Sequence, residues 1–217
     1  MEYESVYVKP FALNTRICYL CLKRLMDIIL SLIAILIAFP VMIIISILIK
    51  LDSKGPIIYK QKRLGKFGNL FTIYKFRTMV YNAEEAMKNF TDEQKEEFNK
   101  FFKLKNDPRI TKVGKFLRKT SLDELPQIFN ILIGNMSFIG PRPVVENEIT
   151  KYGDLKGKYL SVKPGLTGWW ACNGRSLTTY QERIELEIFY INNISFKLDF
   201  KCFIKTVISI ITKEGAI

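Results

Sequence analysis

The chain has 217 residues, with 33 Lys/Arg against 21 Asp/Glu for a formal net charge of +12, and it contains no histidine. Serine-histidine catalysis is therefore excluded, and any chemistry must come from carboxylates, basic side chains, a metal ion or a thiol. The length suits one domain with a sizeable core, or a small domain with a membrane element, rather than a two-domain enzyme.

The charge is uneven. Residues 1–49 hold four basic and three acidic side chains, so nearly all of the basic excess follows them. Such an excess suits anionic partners: nucleic acid, lipid headgroups or phosphorylated small molecules. Residues 1–21 read as an extension without catalytic content, open to membrane association or to subunit contact in a homo-oligomer. Cys18-x-x-Cys21 is the one close cysteine pair, with Cys172 and Cys202 far along the chain. Zinc would need two further ligands from those cysteines or from carboxylates, so small apolar filling is the plainer reading.

Residues 28–49 run 22 positions without a charge, IILSLIAILIAFPVMIIISILI, which meets the length criterion for a membrane helix. Pro40 lies inside this run, removes a helical hydrogen bond and predicts a kink. Lys23 and Arg24 precede the run, while Lys50, Lys54, Lys60, Lys62 and Arg63 follow it. The positive-inside rule thus wants both ends cytoplasmic, which a re-entrant hairpin satisfies; a kinked spanning helix is the alternative.

Two short strands are predicted next, around 57–61 and 70–77, joined by a glycine-containing turn at 64–69. Alternation puts Phe71, Ile73, Lys75 and Arg77 on one face of the second. Residues 82–105, rich in Glu, Lys and Phe, predict an exposed amphipathic helix or helix pair. Asn106-Asp107-Pro108-Arg109 reads as a turn, followed by a short helix to Lys119. Thr179-x-x-Glu182 matches a capping box opening a helix to about Tyr190. Residues 197–213 carry a helical apolar stripe that fits either the headgroup plane or docking on the core.

The chemistry concentrates in Ser121-Leu122-Asp123-Glu124-Leu125-Pro126-Gln127, with Arg118 before it and Gly140-Pro141-Arg142-Pro143 after it. Ser121-x-x-Glu124 matches a capping box, and Pro126 pins a helix start near Asp123. A helix start attracts phosphate as well as carboxylates, and with Arg118 it would lower a carboxyl pKa, as an oxygen nucleophile needs. A carboxylate beside a diphosphate is also a natural magnesium ligand. No Walker-type loop, dinucleotide-binding glycine motif or Asp-x-Asp is present.

Five ordered blocks carry a resemblance. They are Lys23-Arg24-Leu25-Met26-Asp27, Tyr74-Lys75-Phe76-Arg77-Thr78-Met79, residues 118–127, residues 135–143, and Lys163-Pro164-Gly165-Leu166-Thr167-Gly168 leading to Asn173-Gly174-Arg175. Over about residues 22–214 the chain resembles the bacterial sugar transferase family of monotopic phosphoglycosyl transferases, which start glycan assembly on a polyprenol phosphate carrier.

The resemblance implies that a nucleotide diphosphate sugar, usually a UDP-sugar, binds with Mg2+ and that Asp123 attacks the sugar-bearing phosphate. It makes Asp123 nucleophile and metal ligand and Glu124 its partner in the dyad. Arg118, Pro141, Arg142, Pro143, Lys75 and Arg77 fall at phosphate-binding or site-facing positions, with Arg175 on a glycine-containing loop. UMP leaves, and polyprenol phosphate takes the phosphosugar. The fold implied is α+β and mostly helical. Its parts are the extension 1–21, a proline-kinked re-entrant membrane helix over 22–50, and a domain over 51–217. In that domain a small β-hairpin and amphipathic interfacial helices surround an active site on the cytoplasmic face of the bacterial inner membrane.

Membrane lipids are then partners and nucleic acid is not. Two departures stand out: Phe39 before the proline, where a serine is common, and Trp170, where many relatives carry a small residue. The competing reading is a non-catalytic basic protein that binds anionic lipid or nucleic acid at the membrane surface. The carboxylate pair speaks against it, because an anion binder would not want acids at its centre.

Overall fold

The computed structural model describes residues 13–101, 104, 106–174 and 178–212. Helix α1 spans Leu13–Asp52 and keeps Pro40 inside it. It therefore begins within the stretch read as an extension, and its secondary structure runs unbroken through the proline at which a kink was expected. One lost hydrogen bond does not end a helix whose apolar neighbours keep propagating it. Residues Ile17–Asp52 are long and apolar enough to cross a membrane, and only 17% of their most apolar window is buried. A core helix would be mostly covered, so this one indicates membrane association.

After α1 comes the expected hairpin, β1 (Ile58–Leu64) and β2 (Leu70–Phe76), joined through a 3-10 turn at Lys66–Gly68. The alternation in β2 holds for Phe71 and Ile73 and then slips, since Phe76 is buried in place of Lys75. Arg77 lies beyond the strand. The chain divides into two compact units.

One unit comprises Ile37–Lys60 and Tyr74–Pro126. It contains α2 (Ala83–Ala86), α3 (Asp92–Phe101) and α4 (Lys112–Thr120). Met42, Ile45 and Ile49 form a helical stripe on α1 and pack with Phe76 and Leu117. The start of α4 is fixed three ways. Thr111 Oγ1 accepts from the Gly114 amide at 3.0 Å, Asp52 Oδ2 accepts from the Val113 amide at 3.0 Å, and the Thr111 amide donates to the Thr78 carbonyl at 3.1 Å. Gly114 is required there, because a Cβ would lie 2.0 Å from the Thr78 oxygen.

The other unit comprises the described residues up to Leu36, Gln61–Ile73, and the described residues from Gln127 onward. It holds α5 (Gln127–Ile133), β3 (Ser137–Ile139), α6 (Glu146–Ile149), α7 (Lys156–Tyr159), β4 (Gly165–Thr167), α8 (Tyr180–Asn192) and α9 (Phe196–Thr212). Strands β3 and β4 pair in parallel, Ser137 opposite Gly165 and Ile139 opposite Thr167, a sheet that sequence patterning did not suggest. Its strands are three residues each, too short to show a period.

This sheet explains two of the sequence blocks. The Gly140 amide donates to the Thr167 carbonyl and the Gly165 amide to the Pro141 carbonyl, each at 2.8 Å. A Cβ on Gly165 would sit 2.1 Å from the Gly140 nitrogen, so the two segments interlock only as glycines. The Lys23-to-Asp27 block also has a structural task. Lys23 pairs with Asp199 at 2.6 Å, Arg24 donates to the carbonyls of Ile131 and Leu132, and Asp27 accepts from Ser137 Oγ and the Phe138 amide. The capping box at Thr179 forms as expected. In helix α9 Cys202 is fully buried, as docking of its stripe on the core requires, while Phe200, Phe203 and Ile208 are exposed.

Candidate active site

Helix α4 ends at Ser121, which takes the left-handed conformation (φ 56°) and donates its amide to the carbonyls of Arg118 and Leu117. A non-glycine residue held there costs about 1–2 kcal/mol. The strain turns the chain into a 3-10 turn, Leu122–Glu124. Leu122 and Leu125, three apart, eclipse on that turn and pack against the α1–α4 core, leaving Asp123 and Glu124 between them.

The expected capping box does not form. Ser121 makes no side-chain cap, and α5 starts at Gln127, so both acids precede the α-helix. Ser121 terminates one helix instead of opening the next, a choice made by its backbone and invisible in the residue spacing.

Lys75 Nζ reaches Glu124 Oε1 at 2.6 Å, a half-buried ion pair between β2 and the acidic turn. Arg118 donates through Nε to Thr78 Oγ1 at 2.9 Å and attracts Asp123 electrostatically. Burial raises the Asp123 carboxyl above its ordinary range; Lys75 and Arg118 pull it down and Glu124 pushes it up. The expectation of a lowered pKa is thus corrected: Arg118 acts as foreseen and Lys75 adds to it, but desolvation outweighs them. A carboxylate raised in this way is more basic once ionised.

Arg77 is not aimed at the carboxylates. Nε donates to the Pro56 carbonyl at 2.6 Å, Nη1 to Ser53 Oγ at 2.7 Å and to the Lys54 carbonyl at 2.9 Å, and Nη2 to the Ser53 carbonyl at 2.8 Å. It binds the turn after α1, where carbonyls lack helical partners, whereas the resemblance implies a site-facing position for it. Asp107 and Arg109, read only as a turn, form a two-point ion pair at 2.8 and 2.6 Å under the rings of Phe90 and Phe98.

Pro141, Arg142 and Pro143 belong to the other unit. Both prolines are buried and Arg142 is exposed. Its backbone is clamped from both sides: the amide donates to Glu187 Oε1 at 3.0 Å, and Tyr159 Oη donates to the carbonyl. Glu187, fully buried, also accepts from Tyr152 Oη and lies 3.5 Å from Arg183 Nε. The Arg183 guanidinium stacks 4.6 Å from the Trp170 ring, and Arg142 lies 5.9 Å from the same ring. Trp170 thus fills space with a cation-binding face. Glu187 escaped the sequence reading; its signal was Arg183-x-x-x-Glu187, an i,i+4 ion pair on a face otherwise turned to the core. Arg175 lies outside the described residues.

No group of three or more His, Cys, Asp or Glu side chains gathers to hold a metal among the described residues. The adjacent carboxylates nonetheless suit magnesium, which takes one or two protein carboxylates with water and substrate phosphate oxygens.

A carboxylate pair braced by lysine and arginine, in a chain with a membrane-type helix, has the chemistry of a site for phosphate-bearing substrates. The chain belongs to the bacterial sugar transferase family, which it matches over residues 18–213. It is 44% identical over 198 residues to the undecaprenyl-phosphate galactose phosphotransferase of Salmonella typhimurium, covering 90% of this chain and 41% of that protein. It is 39% identical over 197 residues to the exopolysaccharide production protein ExoY of Rhizobium meliloti, covering 89% and 87%. It is 38% identical over 202 residues to the UDP-glucose:undecaprenyl-phosphate glucose-1-phosphate transferase of Xanthomonas campestris, covering 89% and 40%. The chain therefore spans about two fifths of the Salmonella and Xanthomonas relatives and most of ExoY.

Proposed function

We propose that this protein transfers a sugar 1-phosphate from a UDP-sugar to polyprenol phosphate, as the first membrane step of polysaccharide assembly. The observation that carries this reading is the Asp123–Glu124 pair under the charge of Lys75 and Arg118, in a family whose relatives are named for this chemistry. An Asp123 oxygen attacks the phosphorus bearing the sugar, the bond to the UMP oxygen breaks, and UMP departs. A polyprenol phosphate oxygen then attacks the same phosphorus and releases the Asp123 carboxylate, leaving a polyprenol diphosphate sugar.

Arg118 stabilises negative charge beside the reacting phosphate, and Lys75 holds Glu124 in place. Arg142, exposed on a clamped backbone, suits the donor's phosphates or nucleotide. Magnesium held by Asp123 with the diphosphate would neutralise charge on the donor when bound. A panel of UDP-sugars assayed for UMP release with polyprenol phosphate and magnesium tests the reading. One sugar is expected to give turnover, and release of UDP instead of UMP would overturn it.

The membrane helix fits a re-entrant arrangement, with both ends on the cytoplasmic face. Near its start Lys23 bonds Asp199, a residue far beyond the helix, which supports a reading with these two positions on one side of the bilayer. Buried α1 residues stop at Ser31 and resume at Met42. The stretch between them, mostly exposed although Ala38 packs on the cluster of Met42 and Ile45, is roughly 15 Å of helix, half a bilayer. Cys18 and Cys21 are exposed and serve as labels for the first end. Lys54→Cys, in a chain with Cys18→Ser and Cys21→Ser, reports the second. An impermeant maleimide is expected to label both ends in inverted vesicles and neither in spheroplasts; labelling of one end in spheroplasts would mean that the helix spans.

A further inference from the structure

A cavity of about 270 Å³ opens beside the early turns of α1, within the unit that holds β3, β4 and α9. Four cations line it, Lys23, Arg24, Lys66 and Lys163, with a single carboxylate, Asp27. Lys23 is paired with Asp199. Among the described residues Arg24 donates its hydrogen bonds to the neutral carbonyls of Ile131 and Leu132, and Asp27 attracts it electrostatically without a direct ion pair. Lys66 and Lys163 form no ion pair among the described residues, although Lys66 Nζ rests 4.6 Å from the Phe67 ring. Asp27 and Asp199 together leave two of the four positive charges uncompensated.

These cations converge. A Cβ built on Gly134 would lie 3.2 Å from Arg24 Nη2 and 3.5 Å from Lys163 Nζ. Lys163 is held below the usual lysine range by burial first, then by Arg24 and Lys66, against the pull of Asp27. Two like charges side by side in a partly dry cavity are costly, and an anion between them relieves both.

The setting identifies the anion. Lys23 and Arg24 lie within five residues of the start of the uncharged run, which argues for a cavity at the depth of lipid headgroups. Leu20 lines the cavity while staying 40% exposed, and Leu22 and Leu25 are exposed on the neighbouring turns. The volume accepts a headgroup and falls below the usual range for sites holding larger ligands. We propose that this cavity binds the phosphate headgroup of an anionic membrane lipid, with Arg24 and Lys163 contacting the phosphate, Lys66 beside them, and the acyl chains running along Leu20 and the apolar face of α1. The site does not depend on the catalytic role of Asp123, because it uses none of the groups assigned to the reaction.

The test is the thermal midpoint of the full chain in a neutral detergent, titrated with phosphatidylglycerol, phosphatidylcholine or inorganic phosphate. Phosphatidylglycerol is expected to raise the midpoint by several degrees, and phosphatidylcholine and inorganic phosphate to leave it unchanged. In Lys163→Gln and in Lys66→Gln the lipid concentration giving half the rise should increase about fivefold. Lys66 is only partly buried, so its variant keeps the test decisive if Lys163→Gln folds poorly. Equal gains with phosphatidylcholine, a full gain from inorganic phosphate alone, or unchanged titrations in both variants would each overturn the proposal.

Discussion

Asp123→Asn is expected to lower UMP release by ~10³-fold or more while leaving the protein in the membrane fraction, because the amide is isosteric but cannot form the phosphoryl bond. The same variant should be more heat-stable than the parent at pH 8. Burial raises the folded-state pKa of Asp123, so the folded protein binds its proton more tightly than the unfolded chain does. Stability then falls as pH rises from the unfolded pKa through the folded one, and the full cost is present above both. Asparagine removes that cost, so the gap in melting temperature should close as the pH drops below the ordinary carboxylate range. Activity runs the other way: the nucleophile must be ionised, so the acid limb of the rate profile should lie above the usual aspartate pKa. A parent enzyme and variant with equal turnover would remove Asp123 from the mechanism. A melting gap that is unchanged between pH 8 and pH 4 would contradict its buried charge.

Glu187→Ala should be the most damaging single change away from the carboxylate pair. It strips the anion from the Arg142 amide, Tyr152 Oη and the buried Arg183 guanidinium at once. Removing one partner of a buried ion pair costs roughly 3–5 kcal/mol, about 10 °C in a chain of this size. Glu187→Gln keeps the acceptor for the Arg142 amide and should lose less. Its use is to separate folding from positioning. If Glu187 acts by holding Pro141-Arg142-Pro143 for the donor, the glutamine variant should raise KM for the nucleotide sugar several-fold at a temperature where it is folded. Unchanged KM and kcat in a folded Glu187→Gln chain would leave the residue as a stability element alone.

Both cases show where residue spacing stops informing. The acidic pair and Arg118 stood out by their grouping at an expected helix start, while the site roles of Lys75 and Arg142 came from the family resemblance, since 33 lysines and arginines give composition no means of choosing among them. Their electrostatic state was not. Ser121 and Glu124 have capping-box spacing, yet the left-handed backbone at Ser121 and the ion pair from Lys75 commit both residues elsewhere. Arg77 shares the strand parity of Lys75, but β2 ends before it and the carbonyls after α1 claim its guanidinium. Lys23 and Arg24, counted in the sequence as flanking charge for membrane orientation, are bound to Asp199 and to the end of α5.

Patterns of apolar and charged residues repeat over a few turns, so the sequence by itself determined the membrane-type helix, the hairpin, the capped helix at Thr179 and the identity of the acidic pair. Burial and long-range pairing depend on which distant segments meet. Only the tertiary structure could therefore decide that desolvation overrides two cations at Asp123, that Glu187 clamps Arg142, and that four lysine and arginine side chains surround one cavity.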